Sequence, residues 1–147
     1  MKKLFLSFAV FSAIASCSND NDHNEQRESI EGNWKVQKAE IFVQGTNKTT
    51  IFLPQGCEAE NTLEFDGINQ VAVNYELKNN VCSPKANSIQ YNYDKSSRVI
   101  YYNTENGQYS YKITLLTKTD MVIENDKYGV DDNGNTKIFK RYYKKIK

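Results

Sequence analysis

The sequence predicts an all-β chain, a small eight-stranded antiparallel up-and-down barrel. Three observations carry that expectation. Turn signals recur at short intervals: Asp66-Gly67, Lys78-Asn79-Asn80, Asp94-Lys95-Ser96-Ser97, Asn106-Gly107, Lys118-Thr119-Asp120 and Asn133-Gly134. Between them lie short runs rich in Val, Ile, Tyr, Phe and Thr, many alternating with a period of two. From about residue 29 onward no segment shows a helical period. Evenly spaced hairpins make a meander, and closing a meander on itself removes its exposed edges.

Strands are expected at Asn33–Val43, Asn61–Phe65, Gln70–Lys78, Ser88–Tyr93, Arg98–Asn103, Gln108–Thr117, Met121–Glu124 and Lys137–Ile146. The alternation is clear in three of them. Val71, Val73, Tyr75 and Leu77 share one face, opposite Ala72, Asn74, Glu76 and Lys78. Ile89, Tyr91 and Tyr93 face away from Gln90, Asn92 and Asp94, and Tyr109, Tyr111, Ile113 and Leu115 oppose Gln108, Ser110, Lys112 and Thr114. Both Asn-Gly pairs suit type I′ turns, where each central residue needs positive φ.

Composition bounds the function. A chain of 147 residues is one domain's length. Lys plus Arg is 19 and Asp plus Glu is 18, which gives no support to nucleic-acid binding. One Trp, ten Tyr and seven Phe supply enough large rings for a packed core in a lean chain. The single histidine, His23, lies before the strands, so the usual Ser-His-Asp and Cys-His arrangements have no base within the domain. No phosphate loop, His-x-x-x-His pair or dinucleotide fingerprint occurs. Glu58, Glu60, Glu64 and Glu76 read as outward strand or loop positions rather than a carboxylate pair for glycoside chemistry. Asp131-Asp132-Asn133-Gly134-Asn135 has a calcium loop's opening, but position 140 is Lys where that loop needs Glu, so a hairpin turn is expected. The expectation is a protein that is not an enzyme and carries no cofactor or metal.

The first residues read as an address. Lys2 and Lys3 precede the apolar run Leu4 to Ile14, which is too short to span a bilayer and fits a secretory signal. The run ends in Ile14-Ala15-Ser16-Cys17, which resembles the lipobox of bacterial lipoproteins. That resemblance implies a signal peptide over 1–16, lipidation of Cys17 with acyl chains such as palmitate, and a membrane anchor without a transmembrane helix; two chains anchor stably where one is marginal. A plain secretory signal with Cys17 as an ordinary thiol is the alternative. Loss of Lys2 and Lys3 on cleavage takes the net charge from +1 to −1. Residues 17–28 contain no apolar stretch and read as a flexible tether. Its start, Ser18-Asn19-Asp20-Asn21-Asp22, resembles the export signals of Bacteroidetes surface lipoproteins. Together these place the domain, 29–147, on the outer membrane, at its periplasmic or cell-surface face.

Ile30-Glu31-Gly32-Asn33-Trp34-Lys35-Val36 resembles the Gly-x-Trp opening of the lipocalins. The remainder is similar to the small lipocalin-like domain of Bacteroidetes lipoproteins. It has Cys57 before the run Thr62 to Phe65, Cys82 after the next strand, a late Tyr111-Lys112-Ile113-Thr114-Leu115-Leu116 run, and the closing strand Phe139-Lys140-Arg141-Tyr142-Tyr143-Lys144. The resemblance implies that Gly32 and Trp34 open the first strand, that Trp34 plugs the closed end of the barrel, and that Arg141 stacks over it. With Cys17 taken by lipid, Cys57 and Cys82 remain as an even pair expected to oxidise outside the cytoplasm. A metal or catalytic role for the pair lacks a neighbouring histidine.

The leading functional expectation is a membrane-anchored protein binding a small apolar ligand inside the barrel. Tyr91, Tyr93, Tyr109 and Tyr111 are the candidate ligand contacts, since inward tyrosines offer both rings and hydroxyls. The alternative is a structural or interaction lipoprotein with a filled barrel, meeting an envelope protein partner through Gln44–Cys57 and Glu124–Lys137. The basic cluster Lys140, Arg141, Lys144, Lys145 and Lys147 reads as a solvated strand face rather than a headgroup site.

Overall fold

The computed structural model describes residues 28–146. Residues 1–27 and 147 are outside that range, so the signal peptide, Cys17 and nearly all of the tether lie outside the described residues. The described part contains nine strands and one 3-10 turn. In chain order these are β1 (Gly32–Val43), β2 (Thr49–Phe52), the turn Gly56–Glu60, β3 (Thr62–Phe65), β4 (Asn69–Lys78), β5 (Val81–Asp94), β6 (Val99–Thr104), β7 (Gly107–Leu116), β8 (Asp120–Val130) and β9 (Thr136–Lys145). All neighbours are antiparallel, and β9 returns to pair with β1. The result is a closed eight-position barrel, as the alternation predicts.

The eight positions hold nine strands because two of them share one. One edge of β1 pairs with β9 from Trp34↔Lys145 to Val43↔Lys137. The other edge pairs first with β3, at Gly32 to Lys35, and then with β2, at Ala39 to Phe42. β2 and β3 thus run in tandem along the same edge, separated by residues 53–61. Sequence reading places Gln44–Cys57 in a loop. β2 within it is exposed along its whole length and has no alternation to reveal it. The expected loop Glu124–Lys137 also shrinks, because β8 continues to Val130 across a register shift between Asn125 and Gly129. β5 begins at Val81 rather than Ser88. Val81 to Asn87 carries Pro84 and polar residues that disguise a strand, yet every residue there pairs with β4.

The turns are sorted by φ. β4 and β5 are joined by Asn79-Asn80, with φ of 51° and 63°, so the two-residue turn with both centres left-handed is here. At Asn106-Gly107 and Asn133-Gly134 only the glycines are left-handed, at 114° and 80°, which corrects the expectation of type I′ turns at both. Asp131 Oδ1 accepts from the backbone N–H of Asn133 and Asn135, so this acid builds its own hairpin turn. Asp94 does the same for Ser96 and Ser97; those hydroxyl and amide donors hold its carboxyl down at about 2.

The end of the barrel carrying the start of β1 is closed and packed. Trp34, Phe65, Ile100, Tyr102, Ile113 and Met121 are its largest fully buried side chains. Trp34 Nε1 donates to the Ile30 carbonyl at 2.7 Å, so the chain just before β1 folds across the base and satisfies the buried indole. Burying rings of this size supplies roughly 1.5–3 kcal/mol each. The wall near the other, open, end is stitched by two links. Asn61 Oδ1 accepts from the Tyr75 backbone N–H at 2.7 Å, and Cys57 and Cys82 form a disulfide with Cα atoms 5.3 Å apart.

The bridge closes a chain separation of 25 residues, which in the chain-entropy account is worth about 3.5 kcal/mol. The double variant Cys57→Ala/Cys82→Ala should therefore lose about that much in urea unfolding. A loss under about 1 kcal/mol would mean that packing alone holds the 3-10 turn to the hairpin.

Candidate functional site

β9 has two faces, and the site begins with that division. On the outer face, Lys140 pairs with Glu124 at 2.9 Å and Lys144 with Asp120 at 3.1 Å. Tyr142 lies between them and donates its hydroxyl to Glu40 at 2.6 Å, while Lys38 reaches Glu40 and caps the Tyr142 ring. Partial burial and the Glu40 carboxylate raise the Tyr142 hydroxyl to about 12; Lys38 and then Tyr142 lower Glu40. This face is a surface network. On the inner face, Phe139, Arg141 and Tyr143 follow one another from the open end towards the closed end.

At the closed end the cation above the indole is Lys145, not Arg141. Lys145 is the register partner of Trp34; its Nζ lies 5.1 Å from the ring centroid and donates to the Glu31 carbonyl at 2.7 Å. Arg141 pairs with Ala39, well up the same strand pair, and its guanidinium lies over the Phe139 ring at 5.1 Å. The expectation of an Arg141 stack on Trp34 is corrected by register alone. Gly32 and Trp34 do open the first strand, with Gly32 at a φ of 116° that favours glycine.

One hollow lies in the open half of the barrel. A cavity of about 270 Å³ is walled by Val36, Leu63, Ala72, Asn74, Arg141 and Tyr143 and roofed by Phe52, Leu53, Pro54 and Glu58. It lies where β3 has ended and β2 does not reach β4, so residues 53–61 span the gap as a loop and turn instead of a strand. Tyr143 is 3% exposed; burial pushes its hydroxyl up and Arg141 beside it pulls it partly back. A broader hollow of about 690 Å³ flanks the disulfide, but its Gln55, Glu76 and Leu77 walls are exposed. A third, of about 250 Å³, lies at the closed end between Glu31 and Tyr93. The hollow inside the barrel is the better candidate because the buried Leu63 and Tyr143 and the half-buried Val36, Ala39 and Ala72 enclose it, with Asn74 and Arg141 as polar groups on its wall.

The four tyrosines are elsewhere. Tyr91 packs edge-on against Phe65 at 5.1 Å, and Tyr109 stacks on Tyr102 at 4.9 Å with Tyr111 edge-on to both. Tyr91, Tyr93 and Tyr111 lie against the core, and none of the four lines the 270 Å³ cavity. Their hub is Tyr102, whose hydroxyl donates to Gln70 Oε1 inside the barrel. Sequence reading passes over Tyr102 because the pair Tyr101-Tyr102 does not say which ring faces inward. It passes over Ala72 and Asn74 for a different reason. They share the polar face of β4, while the apolar face carrying Val71, Val73, Tyr75 and Leu77 points out of the barrel.

The lipocalin-like domain family matches residues 30–123. Among solved structures, a lipocalin-like protein from Bacteroides uniformis is 13% identical, covering 79% of this chain and 97% of its own, with a TM-score of 0.48. Bovine odorant binding protein, as a deswapped triple mutant, is 18% identical over 78% of this chain and 72% of its own, at a TM-score of 0.41. Aphrodisin, from the female hamster, is 12% identical over 81% and 76%, at 0.40. No curated protein sequence matches this chain.

Trp34 is the single tryptophan, so its fluorescence reports on the base of the barrel. Lys145→Met should shift its emission and lower stability by about 1 kcal/mol. Arg141→Met should leave the emission unchanged, and a shift there equal to that of Lys145→Met would contradict the register given above.

Proposed function

The chain belongs to the lipocalin-like domain family, and from that membership we propose that its barrel holds a small, largely apolar ligand in the hollow at its open end. Family members are generally binding proteins rather than enzymes. The observation that carries the reading is the division of the interior. The closed half is filled with aromatic and aliphatic side chains, whereas the open half keeps about 270 Å³ between Val36, Leu63, Ala72 and Tyr143. That volume is close to the lower bound of ligand pockets, roughly 300 Å³. The ligand is accordingly small, or leaves part of its body on the rim. Phe52 and Leu53 stand 48% and 62% exposed on that rim, and apolar side chains there would receive it.

A second reading has its own observation. Leu77, Val81, Tyr128 and Val130 are also exposed, on the ends of β4, β5 and β8 that lie towards the open mouth. Clusters of exposed apolar side chains mark partner surfaces, so an envelope protein docking on the mouth is the alternative use. For either use the lipobox-like Cys17 would hold the domain to the outer membrane through lipid, with residues 17–28 as the tether and 29–147 as the working domain.

The uncharged fluorescent probe N-phenyl-1-naphthylamine should bind the purified protein. Ala72→Phe, which fills the hollow from its wall, should weaken that binding at least tenfold while the melting temperature stays within a few degrees. Unaltered probe affinity in Ala72→Phe would move the reading to the rim and its partner. In cells, Cys17→Ala should shift the protein from the membrane to the soluble fraction; unchanged membrane association would exclude the lipid anchor.

A further inference from the structure

We propose that the ligand of the open-end hollow is a carboxylate with an apolar body, its charged head held by Arg141 and its tail directed out over Phe52 and Leu53. This rests on the binding reading above and names the chemical class of the ligand.

The starting point is an imbalance of charge between the two faces of β9. Its outward cations Lys140 and Lys144 each pair with an acid, and Lys145 has the Glu31 carbonyl. Arg141, the one of these cations that lines the hollow, has no carboxylate within ion-pair distance among the described residues; Lys137, at the start of β9, has none either but does not line it. The Arg141 guanidinium lies over the Phe139 ring, which supports one plane of the fork, and reaches the Tyr143 hydroxyl at one edge, leaving further N–H donors for a carboxylate. Arg141 is half-buried and lines the hollow beside Tyr143 without a carboxylate partner, and an anion that enters supplies the missing counter-charge.

The neighbouring groups match a carboxylate more closely than a neutral polar head. The Tyr143 hydroxyl lines the same cavity beside Arg141 and can donate to a second carboxylate oxygen. Asn74 faces the hollow from β4 with an amide that makes no hydrogen bond to another described residue, and the Asn61 amide closes the side wall with its oxygen already used by Tyr75. A planar, bidentate acceptor satisfies an arginine fork and one further donor at once. The acid on the same lining is Glu58. It stands exposed on the 3-10 turn at the roof, and it disfavours an anion whose charge stays at the mouth. Position along β9 sets the polarity of the site. Arg141 lies deeper than Phe139, and the exposed apolar side chains lie above both, so the head points inward and the tail outward. A hollow of about 270 Å³ takes the head and the first part of a chain.

The test compares decanoate with decanol, equal in length and different in charge, by displacement of N-phenyl-1-naphthylamine at neutral pH. Decanoate should bind the unmodified protein, and Arg141→Gln should weaken it about 10- to 100-fold, the span expected for one charge-assisted bidentate contact, while decanol affinity stays within twofold. Tyr143→Phe, which keeps the ring, should weaken decanoate about fivefold and serves if Arg141→Gln is unstable. Acetate, a head without a tail, should bind at least tenfold more weakly than decanoate; equal affinity would assign the site to small organic acids and overturn the amphiphile. Decanoate binding that survives Arg141→Gln, or equal losses of decanoate and decanol, would overturn the carboxylate assignment and leave the binding reading standing. Failure of both probes to bind the unmodified protein would overturn the two together.

Discussion

The seam between β1 and β9 is the constraint on which the other features depend. Nine register pairs along it turn an open meander into a cylinder, and a cylinder gives each strand one inside and one outside. Because side chains alternate with a period of two, a slip of one residue at the seam would exchange Tyr143 for Tyr142 and Arg141 for Lys140. The buried ring would become the one bound to Glu40, and the interior would receive a lysine. The indole of Trp34, bonded to Ile30 and covered by Lys145, anchors this seam at its closed end, where a mismatch would leave a buried N–H without an acceptor.

The hollow is a consequence of how the other edge of β1 is filled. A single strand along that edge would have continued the wall to the mouth. Instead β3 stops after four residues and β2 starts again farther up, and the chain between them passes over the gap. Such a detour has few backbone ladder bonds, so its position depends on other links. The Asn61 bond to Tyr75 and the Cys57–Cys82 bridge supply them, tying the 3-10 turn to the β4–β5 hairpin. The disulfide therefore belongs to the geometry of the cavity roof as well as to global stability. The filled closed half then acts as a rigid base, with Tyr102 as the hub against which Tyr109 and Tyr111 pack.

Charge is arranged with the same division. The outer surface of β9 and its neighbours is a lattice of partnered acids and bases, half-buried at Glu40 and Glu124 and exposed at the Lys144–Asp120 pair, which is individually worth little. Such pairs keep the wall soluble and discourage edge association. The interior holds one arginine against an aromatic face, beside a buried phenol, under an apolar rim. A gradient from charge at depth to hydrocarbon at the mouth is the reverse of a water-facing surface, and it suits a molecule with one charged end.

Much of the architecture was legible in the residues. Period-two runs and frequent turn signals determined an all-β meander; Gly32-Asn33-Trp34 marked its first strand, and the two domain cysteines marked the bridge. These are local properties, readable because neighbouring residues in a strand must alternate and a tight turn must tolerate left-handed φ. What the tertiary structure decided was which face of each strand is inside. On β4 the apolar face points outward and the face with Ala72 and Asn74 lines the hollow, against the simple expectation. Position along the seam gave Trp34 its Lys145 and left Arg141 in the cavity, and the tandem of β2 and β3 created the cavity itself. No local pattern encodes these outcomes, because register and closure are set by pairing between segments as far apart as residues 34 and 145, where the alternation of either strand is satisfied by more than one alignment.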